Sequence, residues 1–233
     1  MIRLLDHLLI FLLLVVAPAW GAWAYRGLVR EIRSGNAAAR LREYWSTLLM
    51  QWVFFAAVLG WWWYTGRTAS SLGLTLPAGV GTLVGIGITT LLLGFLAMQW
   101  RAISRLEGAG LDRLRRQVVS VAELMPHTER EYRWFKALSV TAGICEEVVF
   151  RGFMIWYLGH WMPIWLAAIV AAIAFGLAHW YQGVAGVLKT GITGLVMGLL
   201  YAGTGSLLWP AILHAAIDLQ GGAAARKVLT SEA

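Results

Sequence analysis

The sequence predicts an all-α polytopic membrane protein with about seven transmembrane helices and its active site in the last four. Composition is the first reason. Hydrophobic residues make up 59% of the 233 and charged residues only 13%, against about 25% charged in a soluble domain. Patterning is the second: the apolar residues come in long blocks and not in alternation. Length is the third, because seven spans of roughly 20 residues use most of the chain. The net charge of +7 does not point to nucleic acid as a partner. The basic residues cluster between apolar blocks, where the positive-inside rule accounts for them and membrane lipid is the expected surrounding. The lone Cys145 excludes an internal disulfide and any cysteine-rich metal site.

The expected spans are residues 4–24, 46–64, 79–100, 136–157, 163–181, 187–203 and 206–222. The first resembles a signal peptide, with small residues in APAW and GAWA. Its apolar stretch is long for one, however, and it carries Asp6, so a retained helix is expected. Between spans one and two, Arg26, Arg30, Arg33, Arg40 and Arg42 face Glu31 and Glu43. Residues 101–136 hold seven arginines and Lys136 against five acids, whereas 65–78 hold only Arg67. The two basic loops are therefore expected in the cytoplasm, with the N-terminus outside and the C-terminus inside. The run WWWY at 61–64 then falls at the outer edge, as an aromatic belt.

Within the long basic loop, RLEGAGLDRLRRQVV mixes leucines with arginines and reads as a surface amphipathic segment. In MPHTEREYRWF, Thr128 and Glu131 form a capping-box pattern, so the fourth helix is expected to start in the cytosol and run into the bilayer. Gly81 with Gly85, and Gly194 with Gly198, are spaced for close helix packing. The expected divisions are 1–125 for the first helices and the amphipathic loop, 126–222 for a catalytic core, and 223–233 for a cytoplasmic tail.

Three polar groups interrupt the last apolar blocks. Bilayers penalise such residues, so each is a candidate site. The first is Glu146, Glu147 and Arg151 in CEEVVFR. Glu147 and Arg151 share a helix face at i, i+4 and read as a structural ion pair. Glu146 points about 100° away and is left for chemistry. The second is FGLAH, with Phe175 and His179; the third is HAAID, with His214 and Asp218. In the third, Asp218 is placed to accept a proton from one ring nitrogen and fix the tautomer. Together these residues supply ligands and a base. Two histidines plus carboxylate oxygen can hold a divalent metal with a position open for water, and a glutamate can take that water's proton. No HExxH motif is present. Cys145, Lys189, Ser206 and Trp209 read as packing, snorkelling, capping and interfacial residues respectively.

At these motifs the sequence resembles the CPBP family, the CAAX-protease and bacteriocin-processing intramembrane proteases, also called the Abi family. EExxxR corresponds to Glu146, Glu147 and Arg151; FxxxH to Phe175 and His179; HxxxN/D to His214 and Asp218. PHTERE, the SLGL at 71–74 and TGSLLWPAILHA add to the likeness, which spans roughly 126–222. The resemblance implies an endopeptidase with its active site in a cavity among the last helices. It implies that Glu146 activates water, that His179 and His214 bind a metal (zinc is expected) or stabilise the oxyanion, and that Asp218 supports His214 or the oxyanion. Glu147 and Arg151 would hold local structure. Asp218 stands where prenyl-protein proteases commonly carry Asn, which favours a metal ligand or histidine orienter. The implied substrate is a peptide or membrane-protein segment, lipidated or not, and the expected location is a bacterial inner membrane. Two other readings compete: a non-catalytic immunity or scaffold protein of the same fold, and a proton-coupled transporter. No repeated hydropathy halves support the transporter. Oligomeric state is left open.

Overall fold

The computed structural model describes residues 2–76 and 79–230. Every regular element among them is helical. Helix α1, Leu4–Arg33, is continuous apart from a π turn at Leu12–Val16. It is followed by α2, Ala39–Tyr64; α3, Val80–Ser104; and α4, Gly108–Val118. Helix α5 covers 129–158, α6 is Ile164–Ala178, α7 is Gly183–Thr204 and α8 is Leu208–Thr230.

Among the described residues, four helical stretches are long and apolar enough to cross a membrane: Leu4–Arg33, Ala39–Tyr64, Val80–Ser104 and Trp180–Thr204. The chain is thus an integral multi-pass membrane protein, with the expected count of seven spans unconfirmed. The shortfall has a physical origin in the last helices. Helices α5 and α8 carry the ionisable residues of the first and third motifs, which lowers their hydropathy. Helix α6 has only 15 residues, about 22 Å, short of a hydrocarbon core of about 30 Å.

The expected start of the fourth helix is where the structure has it. Thr128 accepts a hydrogen bond from the Glu131 backbone N–H, and Glu131 accepts from the Thr128 N–H, so two orphan donors are satisfied reciprocally. The surface helix α4 has no buried residue. The last helix runs on to Thr230, so 223–230 continue α8 where a separate tail was expected; 231–233 lie outside the described residues.

The core forms where α1, α2, α5 and α6 meet. Leu9, Ile10 and Leu13 pack with Val58, Trp62, Phe153 and Ala167. At one end of it the fully buried Asp6 carboxylate is held by Arg67 at 2.6 and 2.8 Å and by the Trp61 indole N–H at 2.9 Å. The Arg67 guanidinium also stacks 4.1 Å from the Trp156 ring centroid. One clamp therefore joins α1, the α2–α3 loop and α5. Elsewhere small residues set helix spacing. A Cβ on Gly143 would lie 2.8 Å from the Ala211 carbonyl oxygen, so only glycine lets α5 come this close to α8. Gly85 lies against the Trp209 indole and Gly198 against Ala168.

Candidate active site

The close α5–α8 approach puts Glu146 and Glu147 opposite His214. At this level α5 changes its winding. It is α-helical through Glu146 and π-helical over Glu147–Met154, with every residue of the π segment buried. Such wide turns recur at functional sites because they re-aim side chains within an unbroken helix. Arg151 Nη1 donates to Glu147 Oε1 at 2.8 Å, with both side chains almost fully buried. Arg151 Nη2 also donates to the Gly194 carbonyl at 3.3 Å, and the guanidinium lies 4.3 Å from the Phe175 ring centroid.

His214 Nδ1 lies 2.7 Å from the same Oε1 of Glu147. A carboxylate oxygen accepts, so Nδ1 carries the hydrogen and Nε2 is the nitrogen left for the cavity. Around Nε2 stand Asp218 Oδ2 at 3.7 Å and Glu146 Oε2 at 3.9 Å. The sequence spacing placed Asp218 as the tautomer-fixing partner of His214. In the structure Glu147 holds that position, because the π segment turns its carboxylate onto Nδ1, while Asp218 faces the opposite nitrogen without hydrogen-bond contact.

Glu146 is reached from a helix outside the motifs. Gln51, in the middle of α2, donates from Nε2 to Glu146 Oε1 at 2.8 Å. Glu146 Oε2 and Gln51 Oε1 are both buried without a hydrogen-bond partner among the described residues. Nothing in the motif spacing indicates Gln51. The available signal was a lone amide in the apolar run LLMQWVFF, of the kind that needs a partner in a membrane.

His179 caps α6, which ends at Ala178, and a 3-10 turn over Trp180–Gln182 leads into α7. The chain thus breaks after His179, ahead of Gly183, whose φ is 77°. His179 Nδ1 donates to the Phe175 carbonyl at 2.8 Å, leaving Nε2 available. The Phe175 ring stands between the two histidines, 4.7 Å from His179 and 5.8 Å from His214.

Glu146, His179, His214 and Asp218 all line one cavity of 610 Å³. From this polar end the cavity runs to Tyr25, Tyr181 and the α4 residues Leu114 and Gln117, which lie on the side of the arginine-rich segments. Among the described residues no three His, Cys, Asp or Glu side chains are grouped as ligands of one metal ion. Both Nδ1 atoms are engaged, by Glu147 and by the Phe175 carbonyl. That leaves the two Nε2 atoms as the histidine nitrogens able to reach a metal or a substrate oxygen.

Fold and cavity define the class: a helical multi-pass membrane protein that gathers ionisable residues into a pocket among its helices. Residues 130–220, about two fifths of the chain, match the family described as type II CAAX prenyl endopeptidase Rce1-like. This segment is similar to a family of CAAX-protease-like endopeptidases, in agreement with the motif resemblance. Comparisons with curated proteins and with solved structures each return no match.

Proposed function

We propose that the protein is an intramembrane endopeptidase in which Glu146 activates water for attack on a peptide bond near the membrane. The observation that carries this reading is the meeting of Glu146 Oε2, His214 Nε2 and Asp218 Oδ2 within 4 Å of the imidazole nitrogen, at the polar end of a large cavity. A scaffold needs no such convergence.

In this mechanism water donates one proton to Glu146 Oε2 as its oxygen bonds to the acyl carbon. The carbonyl π electrons move to oxygen, giving a tetrahedral oxyanion. His214 in its imidazolium form donates from Nε2–H to that oxyanion, with Glu147 and Asp218 as counter-charges; His179 lines the same end of the cavity, its Nδ1–H held by the Phe175 carbonyl. Collapse re-forms the carbonyl and breaks the C–N bond, and the Glu146 carboxylic acid returns its proton to the leaving nitrogen. Atoms and charge balance with side chains and water alone.

The substrate is a C-terminal peptide segment anchored in the membrane and presented from the arginine-rich, cytoplasmic side, where the cavity extends to α4. The test uses purified full-length protein with an internally quenched, prenylated CAAX peptide. Wild-type protein is expected to cleave it. Glu146→Gln is expected to fold and to lose about 100- to 10,000-fold in kcat, the usual contribution of a general base. A cleaving Glu146→Gln variant would remove Glu146 as the base, and an inert wild type would point to a non-catalytic protein of this fold.

A further inference from the structure

We infer that Gln51 belongs to the hydrolytic machinery: its amide N–H holds Glu146, and its carbonyl oxygen accepts the second hydrogen of the attacking water. The inference rests on the reading of Glu146 as base. It concerns a residue on α2, outside the segment that matches the family.

The geometry has two parts. Gln51 Nε2 donates to Glu146 Oε1 at 2.8 Å, which restrains the carboxylate and leaves Oε2 as its oxygen without a hydrogen-bond partner among the described residues. Gln51 itself is only 8% exposed and lines that cavity. The second part is what remains unsatisfied. Glu146 Oε2 and Gln51 Oε1 are buried acceptors without partners among the described residues. They belong to two cavity-lining side chains already joined by a hydrogen bond. Each unsatisfied buried acceptor costs about 1–3 kcal/mol, so the pair calls for a donor of two hydrogens. A hydrolytic water has two O–H groups. It gives one hydrogen to Glu146 Oε2, the bond that breaks as the nucleophile forms. It gives the other to Gln51 Oε1, which keeps it as a hydrogen bond throughout. Held at two points, the water oxygen has its lone pair directed away from both acceptors, into the cavity where the acyl carbon enters. Positioning of this kind removes orientational freedom before the reaction begins.

The competing explanation is that Gln51 only ties α2 to α5. Interhelical hydrogen bonds in membranes do this and contribute roughly 0.6–2 kcal/mol. The two differ in what they do to kinetics. Gln51→Met preserves side-chain length and volume while removing both the donor and the acceptor. It is compared with wild type and Glu146→Gln on the same prenylated CAAX peptide, with thermal unfolding in detergent followed in parallel. For a water-positioning residue, kcat falls about 10- to 100-fold, the range seen for groups that orient reacting partners, while KM stays close to wild type because ground-state binding is unaffected. Gln51→Ala, with the packing also removed, should lose kcat to the same degree and melt earlier. A Gln51→Met protein with wild-type kcat would overturn the inference while leaving Glu146 in place as base. An active Glu146→Gln would overturn both together.

Discussion

His214 Nδ1 sits 2.7 Å from Glu147 Oε1, on the oxygen that Arg151 also contacts at 2.8 Å. The ion pair that spacing alone marked as structural is thus also the support of a histidine on another helix. Removing Arg151 leaves Glu147 buried beside His214 without its guanidinium. Arg151→Ala is expected to lose about 3–5 kcal/mol of stability, as when one partner of a buried pair is removed. Detergent thermal shifts and membrane yield measure it.

Glu147→Gln is the subtler variant. It keeps the shape but removes the charge that holds the His214 Nδ1–H, and a neutral amide can turn either end toward the ring. Orienting partners of this kind usually contribute 10- to 100-fold, so kcat should fall by roughly that factor. Equal kcat in wild type and Glu147→Gln would show that the orientation of His214 is fixed by something else.

The Asp6–Arg67 clamp makes a prediction of a different kind. Asp6 accepts from Arg67 and Trp61 far from the cavity. Asp6→Ala leaves the Arg67 charge facing the Trp62 and Trp156 rings, 5.0 and 4.1 Å away, without its carboxylate. Stability should drop by about 3–5 kcal/mol, with kcat of the surviving folded fraction unchanged. An active-site defect without a stability defect would mean that the clamp communicates with the site.

Gly194 offers a test of packing at the site. A Cβ there would lie 2.9 Å from Phe175 Cδ1 and 3.2 Å from Arg151 Nη2. Gly194→Ala must push the ring that stands between His179 and His214. Overpacking of this kind costs about 1–3 kcal/mol. Activity should decline with it, whereas Gly87→Ala on α3, where a Cβ meets open space, should change neither.

Access follows from where the cavity leads. In a Cys145→Ala background, single cysteines at Leu114 and Tyr181 are expected to react with a membrane-impermeant thiol reagent in inside-out vesicles. Labelling in right-side-out vesicles alone would reverse the orientation inferred from the arginine-rich loops, and with it the side from which substrate enters.

The helical class, the start of α5 at Thr128 and the Glu147–Arg151 pair were all readable from the sequence, because each depends on residues close together along one helix. Hydropathy blocks, a capping box and an i, i+4 spacing are local, and local geometry is fixed by backbone periodicity. The motif set 126–222 was equally legible, and the family match over 130–220 agrees with it. What only the tertiary structure decided depends on contacts between helices. The π segment at Glu147–Met154 has no spacing signature of its own; it shows where α5 packs against its neighbours, and it gives His214 to Glu147 when sequence spacing offered Asp218. The short α6 brings His179 to the cavity by ending at Ala178, a position that depends on how α6 and α7 fold back on each other. Gln51 and the Asp6–Arg67 clamp join partners 95 and 61 residues apart. No period in a sequence records which polar group on one membrane helix will face which on another. Packing selects the partner, since a polar side chain buried among apolar helices is held only where another stands within hydrogen-bond reach.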